Sequence, residues 1–224
     1  MSTKDPEFLI YARNMFARHG GNYDLLNNKF HAIHTDPEKR DSLAVYSHFY
    51  YYICAPNEPT VREELKIVGI TSLIEAMMSD IEHKDPFQYF ESEYSGKNSI
   101  DDVGKFKEEY LSKYGANKKI VRFFRNFISK EDVEDLLKGI VRPDMTSDDG
   151  DKPLRGLDQL ARFLYQMRSD FVHRADMQGM CPSYAIGTLG IVGGKAYTIT
   201  ATMDSILEMF EKGFVTFWQS KASV

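Results

Sequence analysis

The sequence predicts an all-α protein: a helical bundle with a helical N-terminal extension and one small β-hairpin near the C-terminus. Apolar residues recur at intervals of three and four along most of the chain, the signature of helices with one buried stripe. Helix-opening signals, Asp-Pro pairs and Ser-x-x-Asp, recur between those stripes. A single segment, around Gly193-Gly194, joins two short strand-like runs through residues that tolerate the positive φ of a tight turn.

Taken in order, Asp5-Pro6 and Asp36-Pro37 each place a capping aspartate before a proline suited to the first helical position. The first helix carries Phe8, Leu9, Ala12, Met15 and Phe16 and stops at Gly20-Gly21. A shorter one over 22–34 carries Leu25, Leu26, Phe30 and Ile33, and the second Asp-Pro helix ends in the aromatic run Phe49-Tyr50-Tyr51-Tyr52. From Pro59 a long helix presents Leu65, Val68, Ile70, Leu73, Ile74, Met77 and Met78, to about His83. Residues 85–98 read as turn-rich. Ser99 with Asp102 forms a capping box that opens a helix to about Tyr114, closed by Gly115. A helix over 117–128 follows, then Ser129 with Asp132 repeats the cap before Val133, Leu136, Leu137 and Ile140. Residues 142–153, rich in Asp, read as a mobile loop. Leu157, Leu160, Ala161, Leu164, Met167 and Phe171 mark the next helix. After the hairpin, a last helix over 203–218 buries Ile206, Leu207, Phe210, Phe214 and Phe217. The expected division is an extension over 1–56 and a helical domain over 57–224, with its hairpin within 183–201.

Composition narrows the function classes. The 224 residues are 42% hydrophobic and 27% charged, ordinary for a globular chain, and no run approaches the ~18 apolar residues of a membrane span. The N-terminus shows no signal-peptide pattern, and Cys54 and Cys181 lie far apart, so a reduced, cytoplasmic setting is expected. A formal charge of −5 argues against general nucleic-acid coating, so any RNA contact needs a local basic cleft.

The chemistry concentrates at Arg168-Ser169-Asp170-Phe171-Val172-His173. A guanidinium can hold a phosphate through two parallel hydrogen bonds, and an imidazole can move a proton near neutrality. Five residues along a regular helix turn through about 500°, so Arg168 and His173 would point roughly 140° apart. Convergence on one phosphate requires either that the helix end near His173, as Gly179 and Pro182 suggest, or that a twofold dimer bring one copy's arginine to the other's histidine.

The stretch 164–173, Leu-Tyr-Gln-Met-Arg-Ser-Asp-Phe-Val-His, resembles the signature of HEPN domains, in particular the Apea-like branch. Ser169 stands where active members commonly have Asn, Asp or His, and Arg174 where a glycine often follows the histidine. The resemblance implies a HEPN-like helical bundle, a homodimer, and metal-independent endoribonuclease activity of the toxin-antitoxin or abortive-infection kind, without a cofactor. His173 would transfer the proton, Arg168 would stabilise charge on the phosphate, and Ser169 or Asp170 would orient the histidine or the ribose. An antitoxin or other protein partner goes with that setting. The alternative is a catalytically silent HEPN-like module that binds RNA, a nucleotide or a protein through the same dimer.

Lys118, Lys119, Arg122 and Arg125 fall at helical spacing beside Phe123, Phe124 and Phe127, and Arg162 and Arg174 lie on the motif helix. These six cations are the candidate RNA-binding set, with the phenylalanines either stacking on bases or forming core. Gly187, Gly190, Gly193 and Gly194-Lys195 invite a phosphate-loop reading, but Leu189 and Ala196 occupy positions where that motif needs Gly and Ser or Thr. His31 and His34 are spaced to share a metal with His48 or a carboxylate, yet no cysteine accompanies them, and no metal is expected.

Overall fold

A computed structural model describes residues 5–54, 63–82, 85–96, 99–142, 152–154, 156–174 and 186–223. Four helices open the chain: α1 (Glu7–Arg18), α2 (Tyr23–Ile33), α3 (Pro37–Arg40) and α4 (Ser42–Cys54). The long α5 (Glu63–Glu82) follows, then α6 (Pro86–Tyr94), α7 (Ile100–Tyr114), α8 (Ala116–Phe127) and α9 (Lys130–Lys138). Strands β1 (Ile140–Arg142) and β2 (Lys152–Pro153) precede α10 (Leu157–Arg174), and β3 (Thr188–Val192) and β4 (Lys195–Ile199) precede α11 (Met203–Lys221).

Capping chemistry sets several of these boundaries. Asn22 accepts from the Leu25 N–H and Asp36 from that of Glu38, so orphan donors of the first turn are satisfied. The reciprocal box expected at Ser99 and Asp102 is present, and a second, between Thr202 and Ser205, opens α11. Asp5 is a correction: α1 begins after Pro6 with no side-chain cap, and the Asp5 carboxylate pairs with Arg13 instead. The helix expected from Asp36 to Tyr52 is interrupted at Asp41: α3 ends after one turn and α4 begins at Ser42, whose hydroxyl donates to the Lys39 carbonyl.

The segment 85–98, read as turns, is also corrected: α6 occupies Pro86–Tyr94, and residues 97 and 98 lie outside the described set. Asp85, in a third Asp-Pro pair, is after Asp36 the second that caps a helix, accepting from the N–H groups of Phe87 and Gln88. The apolar face of α6 is aromatic and packs on α7: Tyr89, Phe90 and Tyr94 meet Phe106 at ring separations of 5.0–6.1 Å, and Tyr89 also meets Tyr110 and Tyr114. The supposed loop over 142–153 holds paired strands at both ends, with Arg142 opposite Lys152 and Val141 opposite Pro153; the residues between lie outside the described set. The small sheet is antiparallel throughout, in the order β2-β1-β4-β3. β3 and β4 close through Gly193 (φ 58°) and Gly194 (φ 74°), as a two-residue primed turn requires, and Lys195 already belongs to β4.

One continuous core joins the N-terminal helices to the rest. Phe16 of α1 meets Phe214 edge-on, Tyr50 of α4 lies 5.2 Å from Phe210, and Phe30 of α2 lies 5.2 Å from Trp218. Through that apolar wall, α11 sends one carboxylate. Glu211 is 4% exposed, and its Oε1 accepts from the Tyr11 and Tyr50 hydroxyls at 2.8 and 3.0 Å. Its Oε2 lies 2.8 Å from Arg18 Nη2 and 3.1 Å from His19 Nε2. Burial and the neighbouring Glu211 charge drive the Tyr11 phenol far above its usual range. A buried charge costs little only when its lone pairs are used, and here four donors surround it. Glu211→Ala strands those donors, so urea denaturation is expected to show a loss of about 3 kcal/mol, with α1 loosened most.

Candidate functional site

α10 forms the centre of the site because it changes partners along its length. Leu160, Ala161, Phe163, Leu164 and Met167 are buried; the helix packs on α5 and α8, and Phe163 meets Tyr197 of β4 edge-on at 5.0 Å. Arg168 lies just off that stripe and forms an ion pair with Glu75 of α5, with side chains 27% and 24% exposed. Burial pushes the Glu75 carboxyl above its usual range, opposed by the charges of Arg168 and then Lys119. Lys119 of α8 donates to Ser79, one turn along α5 from Glu75, at 2.6 Å. Arg168 is thus tied into the junction of three helices.

On the other side of α10, Gln166, Ser169, Asp170, His173 and Arg174 form a second stripe at helical spacing. With Gly193 and Gly194 they line an open depression of about 430 Å³. Asp170, 2% exposed, is its foundation. Gln166 Nε2 donates to Oδ1 at 2.7 Å, Arg174 Nη2 donates to the same oxygen, and the Gly193 N–H donates to Oδ2 at 2.8 Å. Burial alone would raise this carboxyl, but the bonds from Gly193, Gln166 and Arg174 outweigh it and hold it below the usual carboxylate range. Gly193 is required twice over: its φ is left-handed, and a Cβ there would lie 2.7 Å from Gln166 Cγ.

The residues singled out from sequence divide between these two faces. Ser169, Asp170, His173 and Arg174 are brought together, whereas Arg168 faces Glu75 and does not line the depression. Arg168 and His173 are thus splayed onto different faces of α10, as the turn of a straight helix requires. Asp170 bonds to Gln166, Arg174 and Gly193, and among the described residues it makes no bond to His173. Of the other cations, Lys118 pairs with Asp158 at 3.3 Å, Lys119 bonds Ser79, Arg122 is half-buried, and Arg125 and Arg162 are exposed. None of these five lines the depression. Phe123 and Phe124 are buried, and Phe127 packs on Phe217 at 5.2 Å, so these phenylalanines form core and present no rings to bases. His31 lies 3.5 Å from Asp41, His34 stacks on Phe30, and His48 sits against Phe8 and Tyr52. Among the described residues no cluster of three metal-ligating side chains occurs.

Sequence reasoning missed Glu75, Gln166, Gly193 and Gly194 as parts of the site. The signal for Gln166 was available, since it begins a polar stripe with Ser169, Asp170, His173 and Arg174. That the hairpin tip docks on this stripe was not. Around the site, Phe171 is half-buried and Val172 is 55% exposed, while Leu189 and Ile191 project from the outer face of β3. Among the described residues no helix is long and apolar enough to cross a membrane. No protein-family model matches the chain, and no curated protein or solved structure does.

Because the folded-state pKa of Asp170 is depressed, its stabilising contribution is complete above the unfolded value of about 4 and disappears as pH falls through the folded value. The stability gap between wild type and Asp170→Asn, measured by urea denaturation, should be constant from neutrality to about pH 4 and close below it. Gly193→Ala should cost at least about 1–2 kcal/mol in the same assay, the contribution of the left-handed φ, with the contact on Gln166 Cγ adding to it.

Proposed function

We propose that this chain is a HEPN-like, metal-independent endoribonuclease that acts as a homodimer. The observation carrying the reading is that His173 is exposed on the wall of an open depression beside Ser169 and Arg174. An imidazole there is reachable by a polymer and surrounded by hydrogen-bond donors. In the reaction, a 2′-hydroxyl loses its proton to one imidazole as its oxygen attacks phosphorus. The bond from phosphorus to the 5′-oxygen breaks, and the leaving oxygen takes a proton from a second imidazole. The products are a 2′,3′-cyclic phosphate and a free 5′-hydroxyl. Two copies of His173 across a twofold axis supply base and acid, and cations stabilise the charge that builds on the nonbridging oxygens. Exposed Val172 near the site is suited to the rim of such an interface. A toxin-like or defence setting, with a protein that neutralises the activity, belongs to the same reading.

One observation favours a second reading, a catalytically silent module that binds RNA, a nucleotide or a protein. Arg168 is held in an ion pair with Glu75 and not presented toward His173. Incubating the pure protein with total RNA in EDTA separates the two. The nuclease reading expects fragments ending in 2′,3′-cyclic phosphate, lost in His173→Ala without loss of helicity. Intact RNA with the wild-type protein supports the silent module, and unchanged cleavage by His173→Ala removes His173 from the reaction.

A further inference from the structure

We infer that the depression beside His173 is a phosphate subsite in which Arg174, not Arg168, neutralises the anion; this rests on the RNA reading for the identity of the polymer but not for the phosphate. Arg168 and Arg174 differ in what holds them. Arg168 is tied to a half-buried glutamate away from the depression, whereas Arg174 lines it and its side chain is 56% exposed. A guanidinium carries five N–H donors, and Asp170 engages Arg174 through Nη2. The buried carboxylate therefore acts as a rear clamp, fixing the planar fork while donors remain for a ligand.

The other walls suit the same ligand. Asp170 is the one acid among the lining residues, and both of its oxygens are occupied, Oδ1 by Gln166 and Arg174 and Oδ2 by Gly193. Ser169 adds a hydroxyl and His173 an imidazole. Gly194 has open space where a Cβ would stand, so an anion can come close to the turn backbone. The last turn of a helix carries partial negative charge, so attraction for an anion here comes from Arg174 and His173 and not from the helix itself. Among the lining residues the formal charges of Arg174 and Asp170 balance, so the depression lacks the net −5 of the whole chain, and the carboxylate lies buried behind while the guanidinium is the exposed charge. A depression of about 430 Å³ accommodates a phosphodiester with part of its sugars.

Two probes test this: inorganic pyrophosphate, and a 2′-O-methyl oligoribonucleotide that cannot be cleaved. Pyrophosphate is expected to shift the Gly193 and Gly194 amide signals of the wild-type protein in ¹⁵N NMR. Arg174→Ala should weaken its binding by about tenfold or more, and Arg174→Lys should give an intermediate value. For the oligonucleotide, the slope of log K against log salt should fall by about 0.7 in Arg174→Ala, the loss of one phosphate contact. A mere shift of the hairpin would weaken binding without changing that slope. Absence of pyrophosphate binding in the wild type, or wild-type binding by Arg174→Ala, overturns the subsite. Pyrophosphate binding that depends on Arg174, without any oligonucleotide binding, upholds the subsite and removes the RNA reading.

Discussion

The carboxylate of Asp170 is the group on which the candidate site depends. It is buried in the seam between α10 and the β3–β4 turn, where an unsatisfied charge would cost several kcal/mol. Three donors from two elements offset that cost: Gln166 and Arg174 on its own helix, and the Gly193 amide from the hairpin. The bonds along the helix orient side chains, and the bond to Gly193 fixes the hairpin tip. Without it the turn loses its one polar tie to α10 among the described residues, and the depression loses a wall.

Glu211 solves the same problem at the other end of the molecule. There, four donors from α1, the residue that follows it and α4 converge on a carboxylate of α11. Both sites use a buried acid to hold elements that are distant in sequence in one arrangement, which apolar packing alone specifies less sharply. At Asp170 the arrangement also has a chemical consequence, because one of its donors is an arginine that remains largely exposed. Arg168, six residues earlier on the same helix, is used differently. Its partner Glu75 belongs to the junction of α5, α8 and α10, so its charge is spent on holding helices together.

Much of the bundle was legible because helical periodicity and caps are local. The Ser99–Asp102 box, the basic helix after Gly115 and the Gly193-Gly194 turn occur close to where spacing placed them. The helix α6 escaped within a segment read as turn-rich, although Asp85-Pro86 caps it as Asp36-Pro37 caps α3. Its packing partners are the aromatic residues of α7, which lie in the next helix. β1 and β2 span three and two residues, too few for any periodicity to register. Within the site, the roughly 140° splay of Arg168 and His173 follows from helix geometry. The partners of those residues do not. Glu75 is separated from Arg168 by 93 positions and Gly193 from Asp170 by 23, and nothing local in the sequence pairs them.

Hydrogen exchange of the hairpin amides tests the role of Asp170 most directly. If the buried carboxylate holds β3 and β4 against α10, Asp170→Asn at neutral pH should strip protection from residues 188–199 while the amides of α11 keep theirs. Equal protection of the hairpin in wild type and variant would contradict the account, because the turn would then be held by something other than this charge.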